Sequence, residues 1–533
     1  MTTPQGAPRP KEIHTRFLYP FFFERSHPGR AQEKLCAATL TARDGQQVSM
    51  WECAAPPALY REELLEHVEK YLFGETERGC RYLRLSGAAG SRWFNKAQVV
   101  ISEAGAKAAR DGGDEKPATV AWPVALSPLA GVEVFLTGYG VGVLSISLTL
   151  RLNELDYESA MLFNYKLSQL RPQVAPRLRI PHPSENEEAW AHIPAAQREK
   201  MQSPPPADAP LSERLGAAGG SFLLGELIPQ TLLGPLADLG FAPAQHQLSV
   251  YTVVRFGDEV DFDEARTVKA LGAFLSGISQ VEEPSHAGAP TGVMGVTNAI
   301  LNRHHWSAVG LLGMAHIISD QPVHGLGFNE QRVPRILLKY FVPYLAALLQ
   351  RASLHRSIGE ASNLVLSRSQ NTASALADLR WHMLEFAVEC YFPEISSREV
   401  IDRYYRMVRE GLGVRRAFDD AHRAIAGMDA QHTSERQEKL SMAMAENVAA
   451  TKSLQEKMAE HLRVVASVQS TVEWIEIFFV SVYLAHLWEM FAEHVPELHY
   501  WIPHGIIGAA VIGALTSALL IFKPWRRGRH GKH

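Results

Sequence analysis

Four residues near the carboxyl end of the chain stand out by chemical type and spacing. Glu476, Tyr483, His486 and Glu493 are ionisable or hydrogen-bonding groups set in or beside an otherwise apolar run, Trp474 to Met490, which reads WIEIFFVSVYLAHLWEM. At about 100° per residue they fall in one arc about 100° wide on a helix, an arc that also holds Phe479 and Met490. Ionisable groups at membrane depth face a bundle interior or a water path. These four are therefore candidate pore-lining residues, and the chemistry they could support is the passage of a cation. Glu493 and Glu497 lie just beyond the run, and in an oligomer they would form an acidic ring at an outer mouth, which favours cations. The plainer reading puts Glu476 and Glu493 at the two headgroup levels and leaves only Tyr483 and His486 inside.

Elsewhere the chemistry is thinner. Thr137-Gly138-Tyr139-Gly140-Val141-Gly142 has the look of a phosphate loop, but no Lys-Ser/Thr follows and a strand comes next where a helix N-terminus would be needed, so a glycine-rich hairpin turn is the better reading. His304 and His305 are adjacent, and neighbours on a strand point to opposite faces, which argues against one shared metal. The run Asp258-Glu259-Val260-Asp261-Phe262-Asp263 reads as a solvated loop with Asp261 or Asp263 capping the next helix, ahead of a loosely held cation. No HExxH, GxSxG, Walker A or kinase set is present, so no catalytic residue and no cofactor site is expected.

The elements that would position these groups can be read in order. Residues 1–12 form a Pro-rich tail expected to be disordered. A first α/β or α+β lobe covers 13–170. In it His14 to Phe23 is a strand that Pro20 assigns to an edge or bend, Leu40 to Cys53 is a hairpin turning at Asp44-Gly45, and Tyr60 to Leu72 is an amphipathic helix. Val132 to Leu150 is the clearest hairpin, because Leu144, Ile146, Leu148 and Leu150 alternate with Ser145, Ser147 and Thr149 as on a strand with one wet face. A Pro-rich linker, 171–220, separates this lobe from a second one at 221–392, with a strand at Gln247 to Phe256, a helix at Asp263 to Ser276, a strand or strand pair at Trp306 to Ser319, and helix from Val333 to Leu366. Residues 393–472 form a helical stalk. No proline interrupts the chain between Pro393 and Pro496, and apolar or small residues from Leu440 to Val472 recur in steps of three and four, as on a seam that packs against copies of itself or neighbouring helices.

The chain then reads as two membrane spans. The first is 473–493; an outer loop, 494–504, follows; the second is 505–522, whose uncharged run from Gly505 to Phe522 is long enough to cross a bilayer core. Lys523, Arg526, Arg527 and Arg529 in the tail 523–533 set the topology: the tail is cytoplasmic by the positive-inside rule, so both termini and the whole soluble body are too. The four scattered cysteines, Cys36, Cys53, Cys80 and Cys390, are read as reduced thiols of a cytosolic body, and the amino terminus shows no signal peptide. A net charge of -4 excludes the basic excess of a nucleic-acid binder.

This layout, a large α/β domain leading through a long helix into a first membrane helix, then a short acidic outer loop, a second helix and a basic tail, resembles the CorA-like family of divalent-cation channels. The resemblance implies a homopentamer in an inner cell membrane, the first membrane helix lining the pore, and a divalent cation as the transported or regulatory ion. The family's Gly-Met-Asn signature is absent. The corresponding region reads Glu497-Leu498-His499-Tyr500-Trp501-Ile502-Pro503-His504, and Gly313-Met314 and Gly427-Met428 lie elsewhere with no Asn after them. The expected function is a cation channel or transporter gated by its cytoplasmic domain. The alternative is a membrane-anchored cytoplasmic sensor or effector that binds a small ligand or partner and moves no ion.

Overall fold

In a computed structural model of the protein, the residues described are 9–515 except for 26–27, 42–46, 75–78, 88, 91–96, 103–118, 151–156, 171–176, 181–219, 259, 261, 263–264, 282–296, 303, 322–328, 368–371, 495–502 and 509. The chain divides into two compact units, Met1–Ala430 and Gln431–His533.

The first unit is built on one large sheet. Its strands are β1 (Pro10–Phe22), β4 (Trp51–Glu52), β5 (Arg81–Leu85), β6 (Gln98–Ser102), β7 (Thr119–Leu126), β8 (Val132–Leu136), β9 (Val141–Leu150), β10 (Arg177–Ile180), β11 (Gly220–Leu223), β12 (Ala242–Pro243), β13 (Ser249–Phe256), β14 (Thr297–Asn302), β15 (His305–Val309) and β16 (Gly313–Ser319); β2 (Thr39–Thr41) and β3 (Gln47–Ser49) form a separate hairpin. The main path runs β11-β10-β6-β7-β9-β1-β13-β16-β15-β14. Only β13 and β16 pair in parallel among the described strands. The helices are α1 (Pro28–Ala37), α2 (Ala58–Arg61), α3 (Glu66–Phe73), α4 (Tyr157–Ser168), α5 (Ala265–Gln280), α6 (Asn329–Leu338), α7 (Phe341–Ser367), α8 (Thr372–Glu389), α9 (Glu399–Gly411) and α10 (Val414–His494), with short helical turns between Leu224 and Leu239.

β1 lies at the middle of this sheet. It pairs with β9 along one side and β13 along the other, so the edge position expected from Pro20 is corrected. The reason is local. A residue's N–H and C=O leave a strand on the same side. The Pro20 carbonyl accepts the Ala244 N–H, so the missing N–H faces the gap where pairing with β13 stops at Leu18 and pairing with β12 starts at Phe21. Proline thus costs no ladder bond. The strand also begins at Pro10, inside the stretch expected to be a loose tail.

β1 and β9 belong to the expected first lobe and β13 to the second, yet they are neighbours. The chain before and after 171–220 therefore builds one sheet, and Arg177–Ile180 inside that segment is itself a strand between β6 and β11; the rest of the segment lies outside the described residues. Period-two alternation gives both faces of the sheet a core. Phe17, Leu144, Ile146, Val250 and Ile317 face α1, α4 and α5, while Leu18, Val143, Tyr251, Val309 and Met314 face α6 to α9. The β8–β9 hairpin is present as expected, but its serine face is not wet. Ser145 and Ser147 are fully buried, because helices cover both sides.

Other boundaries shift for identifiable reasons. The helix expected from Tyr60 to Leu72 is two helices, α2 and α3, separated at 62–65, where Glu63 has φ +67°. Val333 to Leu366 splits into α6 and α7, and the apolar run at the start of α7 is buried from Phe341 to Gln350 as a core helix. The expected stalk 393–472 begins with α9, which belongs to the body: Tyr404, Tyr405 and Val408 are fully buried. Gly413, at φ +67°, takes the left-handed conformation that turns the chain into α10. α10 then runs unbroken through Gly427 for 81 residues, about 120 Å at about 1.5 Å per residue.

The cysteines are corrected too. Cys36, in α1, and Cys53, after β4, form a disulfide, and Cys80 and Cys390 are buried thiols. Seventeen residues separate the bridged pair, which encloses the β2–β3 hairpin. The turn of that hairpin at Asp44-Gly45 lies outside the described residues.

Candidate functional site

α10 carries the stripe. One part of it, within Val414–Phe491, is long and apolar enough to cross a membrane, and it is not buried by the rest of the chain. A helix this long has no side chain able to interrupt it: no proline falls between Val414 and His494. Glu476, Tyr483 and His486 all lie on it and are exposed. His486 Nδ1 is 3.6 Å from Glu489 Oε2, one turn on. Glu493 is in the last helical turn. Glu497 and the basic residues Lys523, Arg526, Arg527 and Arg529 lie outside the described residues, as does the loop between.

A second apolar helical segment is Pro503–Leu515. Its small residues meet α10. A Cβ at Gly505 would overlap the Trp488 indole, and one at Gly513 would come 3.3 Å from Ser481 Oγ. Ser481 and Trp488 share a face of α10 with Trp474, Ile477 and Ala485, which are half-buried. At about 100° per residue, that face and the arc of Glu476, Tyr483 and His486 are about 170° apart. The ionisable stripe and the contact with the second segment are on opposite sides of one helix.

The body's candidates resolve differently. Thr137 to Gly142 is the β8–β9 turn, with Gly140 at φ +68° and Gly142 against the Phe21 ring. Arg356 clamps it by donating to the carbonyls of Phe23, at 2.6 Å, Tyr139 and Gly140. Those carbonyls point at a cation, the reverse of a phosphate cradle. His304 and His305 do not converge, and no group of three metal-binding side chains occurs among the described residues. Asp258 is exposed beside Lys11, and α5 begins at Ala265; Asp261 and Asp263 lie outside the described residues.

Two buried clusters were missed. Arg16 and Glu133, both fully buried, pair at 2.7 Å between Nη1 and Oε2. Tyr60 accepts from both Arg16 terminal nitrogens at 3.0 Å, Tyr82 donates to Glu133 at 2.7 Å, and Arg16 also donates to the Leu337 carbonyl and stacks 3.9 Å above Phe341. Burial works against the guanidinium's charge, but Tyr60 and Glu133 outweigh it and hold Arg16 above its ordinary value. In the second cluster His316 Nδ1 lies 3.0 Å from His305 Nε2 and 2.7 Å from Ser307 Oγ, while its Nε2 lies 3.1 Å from the Tyr404 hydroxyl. Burial, reinforced by Arg332, pushes His305 down to about 3, and burial next to His305 holds His316 well below its usual value. A serine beside two imidazoles can look nucleophilic, but it is sealed under α9 and no substrate reaches it. Both clusters tie the sheet to the helices that precede α10. Their hydrogen-bonded partners are 9 to 321 residues apart, which no spacing signal exposes.

A third feature is open. A cleft of about 630 Å³ lies at the ends of β1, β9 and β13, and its lining includes Lys11, Glu12, His14 and Arg255 as well as Leu129, Leu150 and Val333. No protein-family model and no curated protein matches this sequence.

Proposed function

We propose that this chain is a CorA-like oligomeric membrane protein whose α10 helices line a cation path under the control of the α/β body. The observation that carries the reading is α10 itself. One helix leaves the body at Gly413 and continues without a break into the apolar segment, presenting Glu476, Tyr483 and His486 on the side opposite the one the second segment touches. The reversed order of the two contacts, Gly505 with Trp488 and Gly513 with Ser481, supports an antiparallel hairpin of two spans. With that side occupied, the ionisable stripe is left for neighbouring copies and the water between them. The exposed seam of Leu440, Met444, Val448, Leu454, Met458, Leu462, Val465, Val468 and Val472 supports the same assembly through a coiled stalk. The family resemblance suggests a pentamer and a divalent cation. In place of a Gly-Met-Asn filter, Glu493 and Glu497 would supply the acidic mouth.

The basic tail and the absence of Lys or Arg between the spans support a cytoplasmic body and a two-pass protein of an inner cell membrane. The Cys36–Cys53 disulfide withdraws the support that four free thiols would have lent.

Flux of Mg²⁺, Co²⁺ and Na⁺ through vesicles holding the purified full-length protein tests the reading. Conductance is expected, with Glu476→Gln and His486→Ala changing its rate or selectivity. Leu454→Asp with Leu462→Asp should split the detergent-extracted oligomer into monomers. A wild-type protein that is monomeric in detergent and passes no ion overturns the channel. The second reading, a membrane-anchored effector that binds a small ligand, is favoured by the cleft on the body, and predicts that all three α10 variants leave function intact.

A further inference from the structure

The cleft on the body lies at the end of the sheet where the parallel strands β13 and β16 finish. β13 and β16 are adjacent and parallel, and the chain leaving their carboxyl ends diverges: α5 after β13 packs into the core on one face through Leu271 and Phe274, and α6 after β16 into the core on the other through Ile336 and Leu337. Such a divergence opens a crevice outside the carboxyl ends of the strands. The cleft is at this end of the sheet but set toward β1 and β9: Arg255, from the end of β13, and Val333, from α6, line it together with residues of β1, β7 and β9. A second feature is independent of topology. The register of β1 on β13 slips between Pro10 and Glu12, so Lys11 is the extra residue of a bulge at the rim. Bulges bend a strand and re-aim its side chains, and they recur beside binding sites.

At the polar end two cations, Lys11 and Arg255, stand among three carboxylates, Glu12, Asp258 and Asp320. Lys11 Nζ is 3.5 Å from Asp320 and 3.9 Å from Asp258; Arg255 Nη1 is 3.7 Å from Glu12, while its Nε bonds Asp320 at 2.7 Å. His14, nearly buried, bonds Thr149 at 3.0 Å through Nδ1 and holds Nε2 3.1 Å from Glu12. The contacts of 3.5–3.9 Å exceed an N–H···O bond. Lys11 and the Nη1 corner of Arg255 are therefore attracted to carboxylates without being closed on them. An anion entering here would compete with Glu12 and Asp320, and a cation would compete with Lys11 and Arg255. A molecule carrying one charge of each sign replaces what it displaces: inserted into the loose Arg255–Glu12 pair, its carboxylate meets Arg255 and its ammonium meets Glu12, so neither is left without a partner. Leu129, Leu150 and Val333 give the lining an apolar wall besides the charges, and about 630 Å³ is within the range of small-molecule sites.

We propose that this cleft binds a small zwitterion with an apolar tail, the simplest being a free α-amino acid with a large apolar side chain. The carboxylate would meet Lys11 and Arg255, the ammonium Glu12, and the side chain the apolar wall. The proposal stands on the body alone, whether or not α10 conducts ions. Isothermal titration of the detergent-solubilised full-length protein with L-phenylalanine, L-leucine and L-tryptophan tests it, against phenylalaninamide, N-acetylphenylalanine and inorganic phosphate. Saturable binding of at least one amino acid is expected, with phosphate and the two blocked forms weaker by about tenfold or more, the worth of a lost charge-assisted hydrogen bond. Lys11→Met and Glu12→Gln, at partly exposed positions, should each weaken it by a similar factor while leaving the melting temperature of the body close to that of the wild type. No heat with any of the three amino acids overturns the proposal. So does N-acetylphenylalanine or phosphate binding as tightly as the amino acid, which would make this an anion site. Binding indifferent to both substitutions overturns it as well.

Discussion

The two units of this molecule treat their apolar residues in opposite ways. In the body the start of α7 is buried without exception from Phe341 to Gln350, and the strands at the sheet's centre are covered on both faces. On α10, every residue from 433 to 473 is exposed, Leu454, Met458 and Leu462 included. Exposed apolar side chains scattered over a surface need no explanation, but a seam at helical spacing followed by a membrane-length apolar segment does. The body's sequence is answered by its own chain; that of α10 is answered by what surrounds it, which we propose to be lipid and other copies.

The body's self-sufficiency is most exposed to attack at Arg16. Both members of the Arg16–Glu133 pair are sealed, so removing one leaves an uncompensated charge. Arg16→Met should cost about 3–5 kcal/mol of body stability. The double variant Arg16→Met, Glu133→Gln removes both charges while keeping an acceptor for Tyr60 and Tyr82, and should recover most of the loss. Chemical denaturation read by tyrosine and tryptophan fluorescence measures both. A single variant as stable as the wild type would mean that the body is not closed in the way described. The helicity of α10 past Gln431 should be unchanged in either variant, which circular dichroism at intermediate denaturant would show as a residual helical signal.

A smaller effect is expected from the Cys36–Cys53 bridge. Closing a loop of 17 residues stabilises a fold by about 3 kcal/mol in the chain-entropy view. Cys36→Ser, or excess dithiothreitol on the wild type, should lower the body's melting temperature by that equivalent. Cys80 and Cys390, buried and with their thiols pushed up by burial, should stay unreactive to maleimide in the folded state. Alkylation of cells before lysis would also tell whether Cys36 and Cys53 are bridged in place, which bears on the cytoplasmic location proposed for the body.

Legibility from the sequence followed the range of the contacts. The β8–β9 hairpin and the unbroken run of α10 into its apolar segment are local patterns, period two between Leu144 and Leu150 and an absence of proline, and both were readable; the start of α10 at Val414, within the expected stalk 393–472, was not. The stripe of Glu476, Tyr483 and His486 was readable because one helix holds it. Arg16 was not, since it sits among Phe17, Leu18 and Tyr19 while Glu133 lies 117 residues away. The single sheet was concealed by the prolines of 171–220, which mark irregular chain without saying that its two ends return to the same sheet. Pro20 misled because proline excludes hydrogen bonding on one side of a strand only. The serines of β9 misled because alternation reports polarity, and here the polar face is covered by helices.

The effect most gradual to read is one of pH, and it separates the two units most cleanly because it belongs to the body alone. His305 and His316 are buried neutral, the first held at about 3 by burial and Arg332, the second well below its usual value by burial and His305. In the unfolded chain both imidazoles take protons near pH 6.5. Between that value and about 3 the unfolded state holds more protons than the folded one, so stability falls as pH falls. The slope is up to about 1.4 kcal/mol per pH unit for each histidine. His305→Asn, which keeps a side-chain amide near His316, should flatten the slope between pH 6 and 4 by up to that amount, measured as denaturation midpoints across the range. The oligomer proposed to form through α10 should show no matching change over the same window, because neither histidine lies on that helix. If the wild-type slope is already flat, the imidazoles are not sealed by Tyr404 and α9, and the coupling of the sheet to the helix that precedes α10 is looser than their hydrogen bonds imply.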